Sequence, residues 1–145
     1  MKTVAEILRG KAHTTLYRVD PTTTVLEAAE LMAEKGIGAV LVMERDELVG
    51  IVTERDYVRR VAAKDRSSYG TEVQEIMTSN LYVVGPKDSN QFCMQLMTEK
   101  NLRHLPVLDE GKVIGLLSIR DLVRDITAEQ ESLIQHLEQY IRGSC

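Results

Sequence analysis

A chain of 145 residues with a formal net charge of −4 fits one compact domain, or two half-size units that share a core. Hydrophobic residues make up 43% and charged residues 28%, which is typical of a folded protein and excludes a disordered one. Because aromatic residues total only 4% and the charge balance is acidic, we expect an aliphatic core and no binding of nucleic acid.

The beginning of the chain carries Glu6 and Arg9 among its apolar residues, so it forms no signal-peptide core. No apolar run approaches the length of a membrane span. We therefore expect a cytoplasmic protein that does not contact a membrane. The two cysteines, Cys93 and Cys145, do not form a disulfide framework.

The chain repeats itself. Residues 16–61 match residues 81–126 at an offset of 65, with 14 identities in 46 positions, where average composition gives roughly three. Upstream the offset is 69 and pairs residues 4–7 with 73–76, so the first copy carries four extra residues around 11–14. These matches divide the sequence into repeat 1 (1–64), repeat 2 (65–127) and a C-terminal amphipathic helix and tail (128–145).

Both copies predict the same elements in the same order. An apolar turn (4–8; 73–77) leads to a brief β segment (16–19; 81–84). A helix follows, capped by Thr24 in the first copy and by Asp88 or Ser89 in the second, where Phe92, Cys93, Leu96 and Met97 form the inner face. An aliphatic hairpin and a last helix, beginning at Thr53 or Ser118, complete each copy. Leu133, Ile134, Leu137, Tyr140 and Ile141 then form an apolar stripe on a separate helix from about 128 to 142.

The order predicts an α/β protein of the α+β type, with two β-α-β-β-α repeats and a C-terminal helix. Two copies are too few for a solenoid, so we expect them to pack through their sheets about a pseudo-twofold axis.

The last helix of each copy opens on a repeated phrase, Gly-x-x-Thr/Ser-x-Arg-Asp, which has two interpretations. Thr53 or Ser118 can cap the helix while Asp56 or Asp121 complements its positive end, although Asp is less suited than Glu to reach back and complete a capping box. The same geometry attracts a nucleotide. The hydroxyl and Arg55 or Arg120 would hold phosphate oxygens, and the carboxylate would accept hydrogen bonds from ribose hydroxyls. Gly50 or Gly115 would leave room for the ligand.

The repeated unit and its Gly-x-x-Thr/Ser-x-x-Asp signature resemble the cystathionine-β-synthase (CBS) domain, two of which in tandem form a Bateman module. The resemblance covers residues 1–127. It implies a regulatory module that binds adenosine-containing ligands in clefts between two CBS repeats. The adenine-binding residues that it implies are Leu16, Tyr17, Ile37 and Gly38 in one cleft and Leu81, Tyr82 and Leu102 in the other. Asp56 and Asp121 would hold the ribose, with Thr53 and Ser118 beside them.

The resemblance also implies phosphate contacts at Arg103 and His104, just before the strand that contains Pro106. The first copy has Gly38 and Ala39 there, which carry no charge. We therefore expect the half that carries Arg103 and His104 to take the more highly charged ligand. A solvated loop is the alternative for this pair.

Nothing in the sequence predicts an enzyme, because no nucleophile stands with a base and no paired acids emerge. The histidines have no metal-ligand spacing, so we expect neither a metal nor a catalytic cofactor. AMP or ATP is the expected ligand, with NAD(H) second. We expect a homodimer that acts on an unknown protein target in trans. The C-terminal stripe would serve as a dimer contact, dock onto the target, or pack back on its own module. The alternative function is a scaffold with degenerate pockets that only dimerises and docks.

Overall fold

A computed structural model describes residues 2–11 and 16–143 of the protein. In chain order its elements are α1 (Val4–Arg9), β1 (Arg18–Val19), α2 (Val25–Lys35), β2 (Ala39–Glu44), β3 (Glu47–Thr53), α3 (Glu54–Tyr57) with a π-helical turn (Val58–Ala62), a 3-10 turn (Val73–Glu75), α4 (Asn90–Lys100), β4 (His104–Asp109), β5 (Lys112–Ser118) and α5 (Ile119–Gly143). The fold is of the predicted α+β type, with two small sheets and a C-terminal helix.

The chain forms two compact units that exchange their leading segments. The first unit is Thr15–Tyr82, and the second unit combines Met1–Thr14 with Val83–Cys145. Val4 and Ile7 of α1 lie in the core of the second unit. Val73 and Ile76, from the matching segment before repeat 2, lie in the core of the first unit. The repeat boundaries at 64 and 127 therefore divide the sequence, whereas the compact units cut across them.

The first unit has a three-stranded sheet in the order β1-β2-β3. β1 pairs with β2 in parallel, and β2 pairs with β3 antiparallel. All of β2 except its last residue is buried, as its unbroken aliphatic run predicts for a strand covered on both faces. Its core joins residues of α2, β2 and β3 with the 3-10 turn: Val25, Ala28, Met32, Val40, Val42, Val52, Val61, Val73 and Ile76.

The second unit pairs β4 with β5 antiparallel. The β segment predicted at 81–84 is reduced to a single parallel bridge between Val84 and Val107. The core of this unit consists of Val4, Ile7, Val84, Cys93, Met97, Leu105, Val107, Leu117 and Leu122. Phe92, predicted to face inward from α4, is instead 47% exposed, while its neighbour Cys93 is fully buried.

α2 and α4 begin at caps that the sequence predicts. Thr24 accepts a hydrogen bond from the Glu27 N–H, and Ser89 accepts one from the Phe92 N–H at 3.0 Å. Asp88, the other candidate cap, accepts instead from the Gly85 N–H at 2.7 Å. Both helices end at a left-handed residue, Gly36 and its repeat counterpart Asn101.

α5 is one continuous helix of 25 residues, so the prediction of two separate helices was wrong. The chain between them reads Thr127-Ala-Glu-Gln130 and contains no Gly or Pro to stop the first helix. The side chains of 127–142 are all exposed. The alternative in which this part of the chain packs back on its own module was therefore also wrong.

Candidate functional site

The phrase Thr53-x-x-Asp56 forms a reciprocal capping box at the start of α3. The Thr53 hydroxyl accepts from the Asp56 N–H at 3.2 Å, and Asp56 Oδ2 accepts from the Thr53 N–H at 2.9 Å. Thr53 Oγ1 also lies 3.1 Å from the same carboxylate oxygen. Asp56 is only 8% exposed. Asp, although less suited than Glu to this role, completes the box here, because the extended backbone of Thr53 brings its N–H within reach of the shorter acid.

Ser118 and Asp121 repeat this geometry at the start of α5. Asp121 Oδ2 accepts from the Ser118 N–H at 2.8 Å and lies 3.1 Å from the Ser118 hydroxyl, which accepts from the Asp121 N–H at 3.3 Å. Asp121 is 7% exposed. Both predicted ribose ligands are thus fixed carboxylates at helix starts. The capping interpretation is correct, and it leaves the nucleotide interpretation open.

Each carboxylate receives a further donor that the sequence did not predict. Thr78 donates to Asp56 Oδ1 at 3.3 Å. Lys11 Nζ donates to Asp121 Oδ2 at 3.0 Å and to the Leu116 carbonyl at 3.0 Å. Lys11 begins the four-residue excess of the first copy, and this break in the repeat was the sequence signal that the two carboxylates have different partners.

A backbone hydrogen bond attaches the loop before the hairpin to each motif helix. The Glu54 N–H donates to the Gly38 carbonyl at 3.0 Å, and the Ile119 N–H donates to the Arg103 carbonyl at 2.8 Å. Gly38 is thereby brought to the Thr53 capping box, and Arg103 to the Ser118 capping box. The Arg103 side chain is exposed, as the solvated-loop interpretation and a ligand contact both require.

His104 lies opposite Ser118 in the pairing of β4 with β5. Burial lowers the pKa of His104 to about 4. The negative charge of Asp121 raises this pKa, whereas the positive charges of Lys11, Arg103 and Arg120 lower it further. The imidazole is therefore neutral at pH 7. His104 can offer a phosphate a neutral hydrogen bond, whereas the positive charge there comes from the lysine and the arginines.

The predicted adenine contacts of the first unit lie together at the edge of its core. Tyr17 and Ile37 pack against the core cluster, and Leu16 is half-buried. The Leu41 N–H donates to the Tyr17 carbonyl at 3.2 Å. Lys35 Nζ lies 5.6 Å from the centre of the Tyr17 ring, a distance suited to a cation–π contact. A base stacked on Tyr17 would therefore use the other face of the ring or displace Lys35.

The predicted adenine contacts of the second cleft come from both units. Leu102 packs against the core of the second unit, and its N–H donates to the Met97 carbonyl at 2.9 Å. Leu81 and Tyr82 are the last residues of the first unit, so they do not belong to the unit that holds Asp121. Of the predicted phosphate ligands beside the capping boxes, Arg55 is half-buried and Arg120 is exposed.

The two motif glycines do not leave space for a ligand, contrary to expectation. A Cβ on Gly50 would lie 2.5 Å from Met77 Sδ, and a Cβ on Gly115 would lie 2.7 Å from Leu8 Cδ2. The side chains of the exchanged segments occupy this space. These glycines therefore serve the packing of the exchanged segments.

Two open hollows lie away from the capping boxes. One of about 410 Å³ is lined by Arg18, Val19, Asp20, Thr23, Glu27 and Leu31, and one of about 290 Å³ lies along α4. Neither is lined by a predicted nucleotide-binding residue. Over 2–11 and 16–143, no group of three His, Cys, Asp or Glu side chains could hold a metal ion. Within those residues no helix has the length and apolar character needed to cross a membrane.

Comparison with known proteins matches both repeats to one family. The family model described as "CBS domain" matches residues 4–63 and 73–128. The chain belongs to the CBS-domain family. Its two matched stretches make it a CBS pair, the arrangement of a regulatory module. A solved structure of a CBS-domain protein from Burkholderia ambifaria MC40-6 is 53% identical, with a TM-score of 0.86, and the match covers 89% of this chain and 96% of that one.

Two further proteins are similar to this CBS pair. The Arabidopsis thaliana protein named "CBS domain-containing protein CBSX3, mitochondrial" is 40% identical over 125 residues, which are 83% of this chain and 61% of that protein's length. The CBS domain pair of protein MJ0100, solved in complex with 5′-methylthioadenosine and S-adenosyl-L-methionine, is 23% identical. Its TM-score is 0.76, and the match covers 86% of this chain and 99% of that one. At that identity the likeness concerns the fold alone.

Proposed function

We propose that this CBS pair is a regulatory sensor that binds adenosine-containing nucleotides, AMP or ATP first and NAD(H) second, at the two capping boxes. It acts on a separate protein target rather than as an enzyme. The observation that carries the proposal is the pair of buried acids, each fixed by a hydroxyl residue and directly preceded by an arginine in the sequence. A cytoplasmic location is part of the same proposal.

The Asp121 carboxylate can accept further hydrogen bonds from the hydroxyls of a sugar. An ionised carboxylate accepts about four hydrogen bonds. Within the described residues, all the hydrogen bonds to Asp121 fall on Oδ2, from the Ser118 N–H, the Ser118 hydroxyl and Lys11. Oδ1 can then accept from the two neighbouring hydroxyls of a ribose. Asp56 has less capacity, because Thr78 already donates to its Oδ1.

The surrounding groups favour a phosphate attached to that sugar. Arg120 follows Ser118 at the helix start, and Arg103 is held there through its carbonyl. Guanidinium groups bind phosphate oxygens in pairs, and the positive end of α5 adds to this attraction. The complex of the MJ0100 domain pair shows that the fold can hold adenosine-containing molecules, which is consistent with the proposal.

Calorimetric titration with AMP, ATP and NADH tests the proposal. Asp121→Asn keeps the size of the side chain but replaces one of the two carboxylate oxygens by an NH2 group, which donates instead of accepting. The variant should therefore bind the nucleotide at least about tenfold more weakly. Asp125→Asn is the matched control, because Asp125 is an equally buried acid one turn later in α5 whose partner is Asn90. Asp56→Asn tests the first unit in the same way.

Two results would contradict the proposal, the first by rejecting the proposed sites and the second by rejecting nucleotide binding. Equal affinity in the wild type and both site variants would place the nucleotide elsewhere. Failure of every adenine nucleotide to raise the melting temperature of the wild type would favour the scaffold without ligand, since a ligand selective for the native state must stabilise it.

We also propose that the protein is a homodimer whose contact includes the exposed stripe of α5. Leu133, Leu137 and Tyr140 continue the helix face that buries Leu122 in the core, yet they are 52–74% exposed. Two copies laid antiparallel about Leu137 would cover this stripe.

Sedimentation velocity tests the dimer. Leu137→Glu places a charge at the centre of the stripe and should convert the dimer to a monomer. Gln135→Glu adds the same charge on the opposite side of the helix and should leave the dimer intact. A wild type that sediments as a monomer at tens of micromolar, or a Leu137→Glu variant that stays dimeric, would show that another surface is used.

A further inference from the structure

The two units satisfy the same pair of acceptors with different donors. In the first unit the acceptors are the Ile51 carbonyl and the Asp56 carboxylate. Thr78 serves both, through its N–H at 2.9 Å and its hydroxyl at 3.3 Å. In the second unit the equivalent acceptors, 65 residues later, are the Leu116 carbonyl and Asp121.

In the second unit a single ammonium group takes both roles of Thr78. Lys11 Nζ lies 3.0 Å from the Leu116 carbonyl and 3.0 Å from Asp121 Oδ2. A backbone amide and a hydroxyl bring no net charge, whereas the ammonium brings a full positive charge to the carboxylate. The exchange of leading segments thus gives the two sites different electrostatics at the same position of the fold.

The other charged residues near the two acids also make the second unit more positive than the first. Around His104 the second unit collects the cations Lys11, Arg103 and Arg120 against the single acid Asp121, a net charge of +2. At the equivalent positions the first unit has Thr78, Gly38 and Arg55 with Asp56, a net charge of zero. Glu54 adds a further negative charge there, where the second unit has Ile119.

Lys11 is also placed to reach a ligand. Its side chain is 26% exposed, while that of its partner Asp121 is 6% exposed, so the lysine is the more accessible member of the pair. An ammonium has three N–H donors, and within residues 2–11 and 16–143 two of them are used, at Leu116 and Asp121. The third can donate to an anionic group of a ligand whose hydroxyls bind Asp121.

We infer that Lys11 is the specificity-determining residue of the Asp121 site, and that it selects adenosine ligands carrying phosphate over uncharged adenosine. The inference rests on the proposed nucleotide binding. The first unit, with Thr78 in place of the ammonium, discriminates less between the two ligands. A purely structural role, in which Lys11 only fastens the end of α1 to β5, would affect both ligands equally.

Titration of AMP and adenosine against four forms of the full chain separates these roles. All four forms carry Asp56→Asn, which removes the carboxylate of the other site. The first has no further change, and the others add Lys11→Met, Lys11→Arg or Lys2→Met. Met keeps the apolar stem of the side chain and removes its charge, and Arg keeps the charge. Lys2 is the control, because it is an exposed lysine that lies 4.0 Å from a different acid, Asp125.

Lys11→Met should lower the affinity for AMP about 10- to 100-fold and change that for adenosine less than about threefold. Lys11→Arg and Lys2→Met should retain the preference for AMP. The affinity for AMP should also lose part of its salt dependence in Lys11→Met. Melting temperatures of all forms identify any variant that fails to fold, and in that case Lys11→Gln replaces it.

An unchanged ratio of the two affinities in Lys11→Met would overturn the inference while leaving the proposed function in place. A loss of both ligands to the same extent would assign Lys11 the structural role and would also overturn it. If the Lys11 form bound neither AMP nor adenosine, the proposed function itself would fail and the inference with it.

Discussion

Leu8 of α1 fills the space beside Gly115 in β5, so that a Cβ at that glycine would lie within 2.8 Å of both methyl groups of the leucine. Met77 occupies the equivalent space beside Gly50 in the first unit. These contacts join segments that are more than 25 residues apart in the sequence. They explain why the signature begins with glycine without any reference to a ligand.

Gly115→Ala should therefore destabilise the second unit. The added methyl group forces Leu8 or β5 to move, and overpacking of this kind costs about 1–3 kcal/mol. Gly10→Ala is the control, since a Cβ at Gly10 would meet nothing closer than 3.6 Å and its φ of −83° suits any residue. Urea denaturation measures both variants. A Gly115→Ala protein as stable as Gly10→Ala would contradict the packing role.

The capping boxes should contribute to stability independently of any ligand. Ser118→Ala removes the acceptor of the Asp121 N–H and one donor to its carboxylate, so we expect a loss of about 1 kcal/mol in the free energy of unfolding. Ser132→Ala, at an exposed position inside α5, should cause no loss. Chemical denaturation without nucleotide measures the difference, and equal stability of the two variants would show that the box is not formed in solution.

His104 should make the protein less stable in mild acid. Its pKa is about 4 in the folded chain and about 6.5 as an ordinary histidine, so between these values the unfolded chain binds a proton that the folded chain does not. The free energy of unfolding therefore falls as the pH is lowered from 7 towards 4. Between pH 7 and pH 5 we expect this group to account for up to about 2 kcal/mol.

Replacing the histidine isolates its contribution. His104→Gln should show a smaller loss of stability between pH 7 and pH 5 than the wild type. His136→Gln changes an exposed residue of α5 and should follow the wild type. Identical pH dependence in all three proteins would mean that His104 is solvated, and that its neighbourhood does not hold the imidazole neutral.

The sequence predicted best those features that depend on residues close together in the chain. The caps Thr24, Ser89, Thr53 and Ser118 each act over three residues, so a short pattern is enough to find them. The hairpins were also predictable, because their aliphatic runs are interrupted only at the turns. The length of α5 was missed because the apolar pattern weakens at 127–130, although nothing there ends a helix.

The contacts that distinguish the two sites were not predictable from local patterns. Lys11 and Asp121 are 110 residues apart, and Lys11 meets the carboxylate only because α1 joins the second unit. The repeat itself favoured the opposite assignment, since it placed each apolar segment before its own copy. The capping role of the motif residues was therefore predicted correctly, while the additional partners of their carboxylates required the fold.

The most direct test of nucleotide binding at the capping boxes is a titration of isotope-labelled protein with AMP, followed through the assigned backbone amide signals. The account predicts the largest shifts at Ser118, Arg120 and Asp121, with the corresponding signals of the first unit responding at higher AMP concentration. It also predicts that Asp121→Asn suppresses the first set of shifts. Saturating AMP that leaves the amides of both capping boxes unchanged would contradict the account.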